Sequence, residues 1–139
     1  MSRLTTDFAD RLEEGVDLFN RGAFFQAHEV WEVIWRKNPG EPAYFLHGLI
    51  QIAAGFVKLL RGEPKGAAAL LLKGARKLER FSPGRYGLAI DGLLESAASW
   101  NRTAGEMAAA GRTDFDRSAL PRLPDVSSAA ADPVDRRRT

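Results

Sequence analysis

The segment FFQAHEVWEVIWR, residues 24–36, holds one of the chain's two histidines and two of its three tryptophans. Its apolar residues recur at helical spacing, and the prolines and glycine of NPGEP, residues 38–42, predict where this helix ends. Because the helix is apolar almost all round, we expect it to be largely buried. Its polar side chains would then face protein and require hydrogen-bonding partners.

Helical periodicity continues on both sides of this segment, and no other stretch shows a convincing strand pattern. Turn signals at Gly22, at 38–42, at RGEP (61–64) and at SPGRYG (82–87) separate the periodic stretches. The predicted helices cover about 7–20, 24–37, 42–60, 64–81 and 90–110. The sequence therefore predicts an all-α fold, a compact bundle of about five helices.

A faint internal repeat runs through the first four helices. Arg21-Gly22 and Arg61-Gly62 lie 40 residues apart, and Ala27 and Ala67 match at the same offset. Each unit is predicted to be a helical hairpin with a glycine at its corner. Since two such units are too few for a stable solenoid, the prediction is a bundle built from two helical-hairpin pseudo-repeats.

The character of the chain changes after Gly111. Residues 112–139 contain three prolines and mixed charge, with no sustained period. We therefore expect an all-helical domain over 1–111 and an extended or disordered tail over 112–139. Phe115 and Leu120 are the tail residues that would pack against the domain, and the arginines at 136–138 are interpreted as a solvated terminus.

The composition favours one ordinary globular domain and excludes several kinds of site. The 139 residues are 45% hydrophobic and 27% charged, and there is no cysteine, so thiolate ligands, cysteine nucleophiles and disulfides are excluded. A net charge of +2 gives little reason to expect nucleic acid. The polar N-terminus predicts no signal peptide, and the apolar run 43–60 is interpreted as a core helix, which predicts a cytoplasmic protein without a membrane partner.

Two polar stripes form the candidate site. Helical geometry places His28, Glu32 and Trp35 within about 60° of one another on the second helix, and Tyr44, His47 and Gln51 similarly on the third. If the two helices form an antiparallel hairpin, the stripes come together as one polar cluster with aromatic walls. The pattern does not fix their mutual orientation, and each residue taken singly is more typical of a structural His–Glu pair or a core tryptophan.

The residues of this region also resemble a known family. HEVWEVIW (28–35) and GLIQ (48–51) are similar to the signature His-Glu-x-x-Glu-x-x-Trp and Gly-Leu-Ile-Gln of domain of unknown function family 309, and the resemblance covers about residues 13–100. Two positions depart from its usual pattern, Gln26 where glutamate is common and His47 where glutamine is. The resemblance implies a small all-helical prokaryotic protein, in some catalogues labelled a predicted metal-dependent hydrolase.

Two classes of function remain open. The first is a module that binds a small ligand or partner through His28, Glu32, Trp35, Gln51, Tyr44 and His47. The second is a metal-dependent hydrolase with His28 and Glu32 as ligands of a divalent ion and Glu29 or Glu32 as the catalytic base.

The binding module is the preferred interpretation, because a catalytic metal needs a third ligand. Basic residues of the fourth helix share one face and could meet phosphates or an acidic protein, although a solvated face is the commoner case: Lys73, Arg76, Lys77 and Arg80. The tryptophan-rich face would also allow a homodimer.

Overall fold

The computed structural model describes residues 6–127 and confirms the all-α fold. Five α-helices make up most of this part of the chain: α1 Thr6–Asn20, α2 Phe24–Lys37, α3 Glu41–Leu60, α4 Pro64–Leu78 and α5 Asp91–Ala110. Short 3-10 turns follow at Glu79–Phe81 and Arg117–Ala119. Consecutive helices pack against one another, so α3 lies between α2 and α4.

A small hairpin interrupts the helices where the sequence predicts only a loop. Strands β1 (Gly84–Arg85) and β2 (Leu88–Ala89) pair antiparallel, too short for a period-two pattern to be visible. The turn residues Tyr86 and Gly87 have φ angles of 54° and 78°, as a type I′ turn requires. The Tyr86 ring is buried edge-on against Phe8 and Phe45, which fastens the hairpin to the core.

The corners after α1 and α3 have the same geometry. Gly22 and Gly62 have φ angles of 81° and 77°, and the amide of each donates to the carbonyl three residues before it. The next amide, of Ala23 or Glu63, donates to the carbonyl five residues back, which completes a Schellman motif at each corner. The two corners thus match at an offset of 40 residues, while the wider pseudo-repeat stays a prediction.

Glycines allow two of the helix pairs to approach closely. Trp31 of α2 is fully buried, and its indole Nε1 donates to the carbonyl of Leu12 at 3.2 Å. Gly15 makes room for this indole, since a Cβ at that position would overlap it. Between α3 and α4, a Cβ at Gly74 would lie 2.7 Å from the carbonyl oxygen of Gly48. Trp31 is therefore a core residue and does not line the candidate site.

The α3 helix is the centre of the molecule. Its Phe56 contacts Phe19, Phe24 and Trp100, and so joins α1, α2 and α5 in one core. By length and composition α3 is the one helix of residues 6–127 that could cross a membrane, and 56% of its apolar window is buried within the protein. Its inward face is apolar, while His47, Gln51 and Lys58 lie on a partly exposed stripe.

Residues 112–127 have no regular secondary structure apart from the Arg117–Ala119 turn, and they pack along the bundle. The Asn20 side chain donates to the carbonyl of Leu123 at 2.8 Å and accepts from its amide at 2.7 Å. Leu123 is buried, and Phe115 packs edge-on against Trp100. The rest of the predicted tail, with the arginines at 136–138, lies outside the described residues.

Candidate functional site

The partly exposed side of α2 carries a row of polar side chains at one-turn intervals. His28 Nε2 lies 3.4 Å from one carboxylate oxygen of Glu32, and Arg36 lies 3.6 Å from the other. The side chains of His28 and Glu32 are 23% and 29% exposed, so both are reachable from solvent while packed against protein. This is the i, i+4 geometry that the sequence predicts for the pair.

A stacked pair of rings joins α2 to α3. The indole of Trp35 and the imidazole of His47 have centroids 5.4 Å apart and planes inclined by 25°. Since Trp35 shares the stripe of His28 and Glu32, this contact brings the polar stripes of the two helices side by side. Gln51 is one turn further along α3, about 6 Å from His47 along the helix axis.

Two polar atoms on this face are buried without a hydrogen-bonding partner. They are Nδ1 of His28 and Oε1 of Gln51. Native proteins satisfy the great majority of such atoms with protein groups, water or ligand. Within residues 6–127 these are the two side-chain atoms left in that condition, and one belongs to each of the two stripes.

Aromatic rings border the face on both sides. Phe25, 47% exposed, stacks on the His28 imidazole at 5.7 Å. Tyr44, 39% exposed, lies on the α4 side, where its ring is 5.0 Å from the Arg80 guanidinium carbon and 5.9 Å from the Lys77 nitrogen. Neither the Phe25 contact nor the α4 contacts were anticipated from the sequence. The spacing of Phe25 and His28, three residues apart on one helix, was the available signal.

Glu29 lies apart from this arrangement. Its side chain is exposed, and within the described part of the chain it forms no ion pair. It is next to His28 in sequence, but helical geometry turns it about 100° away. The structure thus brings Trp35 and His47 together, pairs His28 with Glu32 on α2, and leaves Glu29 and Tyr44 outside the α2–α3 contact.

The environment of His47 opposes its protonation. Partial burial lowers the pKa of the imidazole below its usual value, and the nearby positive charge of Lys77 lowers it further. Neutral His47 can both donate and accept a hydrogen bond, and it can stack on Trp35 without carrying a charge.

The residues described here do not fit a metal ion. No group of three His, Cys, Asp or Glu side chains in residues 6–127 is placed to hold one. His28 and Glu32 supply two donors, whereas a catalytic zinc site usually has three protein ligands and an open position. Glu32 is also shared with Arg36. The divalent ion suggested by the sequence therefore has an incomplete ligand set.

These features define a class: a small all-α protein in which a tryptophan of α2 stacks on a histidine of α3. Residues 12–70 match the model of the family described as Domain of unknown function (DUF309). The matched segment includes all of α2 and α3, and so every candidate site residue. No curated protein matches the chain.

Proposed function

We propose that the face between α2 and α3 binds a small polar ligand. The observation that carries this proposal is the pair of buried, unpartnered atoms, His28 Nδ1 and Gln51 Oε1. A buried polar atom without a partner destabilises the protein by roughly 1–3 kcal/mol. A ligand that forms hydrogen bonds with both atoms would remove this destabilisation, and the gain would contribute to the free energy of binding.

The chemistry of the face describes the ligand. Gln51 Oε1 requires a donor, while His28 Nδ1 takes a donor or an acceptor according to its tautomer. The rings of Phe25 and Trp35 offer apolar surface beside these atoms. The ligand we infer has an amide, hydroxyl or similar polar edge and a flat or apolar body. A cysteine-free chain suits a reducing compartment, and we place this function in the cytoplasm.

A metal-dependent hydrolase is the alternative, supported by the contact of His28 with Glu32. In that role His28 and Glu32 would be ligands, and the exposed Glu29 would be the base. It ranks second because no third ligand among residues 6–127 accompanies the pair.

The proposal is tested by adding a defined library of small amides, sugars, nucleosides and carboxylates to ¹⁵N-labelled protein. We expect at least one class to shift the backbone amides of residues 28–35 and 47–54. Gln51→Leu should abolish these shifts, because leucine cannot accept a hydrogen bond. Gln26→Leu, the same change at an exposed position of α2, should leave them intact. Shifts that persist in Gln51→Leu, or a library without any binder, would contradict the proposal.

A further inference from the structure

A cationic patch adjoins the proposed ligand face on the α4 side. It consists of Tyr44, His47, Lys77 and Arg80. The Tyr44 ring is the centre of the patch, with the Arg80 guanidinium carbon 5.0 Å and the Lys77 nitrogen 5.9 Å from its centroid. Because an aromatic face attracts cations, the ring holds both side chains beside the same point of the surface.

The charges of this patch are not neutralised by neighbouring carboxylates. Within residues 6–127, neither Lys77 nor Arg80 forms an ion pair. The carboxylate at the start of α3, Glu41, is instead held by Arg85 at 2.6 Å and accepts from the Tyr86 hydroxyl. Lys77, which is half-buried, and Arg80, which is exposed, therefore lie beside the exposed Tyr44 ring without an ion-pair partner in this part of the chain.

The patch is continuous with the α2–α3 face. His47 stacks on Trp35 on one side and is close enough to Lys77 on the other for that charge to lower the pKa of its imidazole. Gln51 lies one turn along α3, about 6 Å from His47. A single small molecule could therefore contact Gln51 and His28 with its body and place an anionic group beside Lys77 and Arg80.

We propose that Lys77 and Arg80, which both lie beside the Tyr44 ring, bind the phosphate group of a small phosphorylated ligand. This rests on the proposed function and names its substrate class. A guanidinium offers paired donors that match phosphate oxygens, and an ammonium adds a point charge. A phosphate monoester carries a charge of about −1.5 to −2 near neutral pH. Two cations match this charge better than they match the single charge of a carboxylate.

The surrounding charges favour a compact anion over a polyanion. Glu32 lies along the α2 edge, and Glu79 precedes Arg80 in the chain. An extended nucleic-acid backbone laid across the face would meet these carboxylates. A single phosphate group needs only the short region between α3 and the end of α4.

The experiment titrates inorganic phosphate into ¹⁵N-labelled protein at constant ionic strength, with acetate as the comparison anion. We expect phosphate to shift amides of residues 44–48 and 76–81 and to bind about tenfold more tightly than acetate. The double variant Lys77→Ala/Arg80→Ala should weaken phosphate binding at least about tenfold. The control Lys65→Ala/Arg102→Ala removes the same charge from exposed sites on α4 and α5. It should change the affinity for phosphate less than about twofold.

Equal losses in the two double variants, or equal affinity for acetate, would overturn the proposal. Two further ligands distinguish a small phosphorylated molecule from a nucleic acid as the source of the phosphate group. Tighter binding of glycerol phosphate, a monoester, than of inorganic phosphate supports the proposal. Tighter binding of a short oligonucleotide overturns it.

Gln51→Leu separates the two proposals. It should leave inorganic phosphate binding unchanged and remove the additional affinity for the monoester. If the library binders still lose affinity in Gln51→Leu but phosphate does not bind, only the phosphate assignment fails. If phosphate binds but Gln51→Leu weakens the binding of no ligand, the proposal that the α2–α3 face binds a small polar ligand is wrong.

Discussion

Gly15 is the residue that allows α1 and α2 to pack closely. A glycine inside a helix ordinarily weakens it by about 0.5–1 kcal/mol relative to alanine. Here the missing side chain is the space occupied by the Trp31 indole, which also donates to the Leu12 carbonyl. The sequence predicts that α2 is largely buried, but the neighbour of Trp31 depends on how α1 and α2 pack.

We predict that Gly15→Ala lowers the free energy of unfolding by about 1–3 kcal/mol, because the new methyl group forces the indole to move. Urea denaturation measures this. Gly105→Ala is the matched control, since Gly105 lies in α5 with nothing near its Cβ position. That change should raise the free energy of unfolding by about 0.5–1 kcal/mol. If both variants changed stability in the same direction, the close packing at Gly15 would be refuted.

His47 gives a prediction about pH. Burial and then Lys77 lower the pKa of its imidazole in the folded protein. The unfolded chain therefore binds a proton at His47 more readily than the folded protein does. The stability contributed by neutral His47 is complete above the usual histidine pKa of about 6.5, and it is lost as the pH falls through and below that value. His47→Gln should flatten the pH dependence of stability in this range. NMR titration of the imidazole in the wild-type protein, followed by Lys77→Ala, gives the direct check: a pKa at or above the usual value would contradict the account.

At the scale of elements, the helices and the turns between them were predictable, whereas the β1–β2 hairpin and the packing of residues 112–127 were not. Apolar spacing and Gly/Pro turn signals gave all five helices to within a few residues of their observed ends, because both signals are local. The fourth helix was predicted to reach Phe81, but Leu78 is its last α-helical residue and the chain continues as a 3-10 turn. The packing of residues 112–127 depends on contacts with residues about a hundred positions earlier, such as Asn20 with Leu123, which no local pattern shows.

We predict that Asn20→Ala releases this segment. The change removes two partly buried hydrogen bonds to the Leu123 backbone, each worth about 0.5–1.5 kcal/mol. Hydrogen exchange should become faster over residues 117–127, while the helices stay protected. Asn38→Ala breaks a bond of the same type to the Ile34 carbonyl within α2 and its cap, so it should leave this segment protected. Unchanged protection in Asn20→Ala would show that Asn20 does not hold the segment.

At the scale of the whole molecule, the candidate site was only partly predictable. Helical geometry groups His28 with Glu32 and His47 with Gln51, but the relation between the two groups depends on how α2 rotates against α3. The Trp35–His47 stack supplies that relation. Whether a buried atom lacks a partner depends on every neighbouring element, so the condition of His28 Nδ1 and Gln51 Oε1 could not be read from spacing.

The most direct test of the central claim is the free energy of unfolding of Gln51→Leu without ligand, compared with that of Gln26→Leu. If Gln51 Oε1 is held unpartnered for a ligand, leucine removes an unsatisfied acceptor, and the variant should be more stable than the wild type by about 1 kcal/mol or more. Gln26→Leu, at an exposed position, should change stability by less than about 0.5 kcal/mol. A loss of about 1 kcal/mol or more in Gln51→Leu would show that the glutamine has a structural partner, and the account of this face as a ligand site would be contradicted.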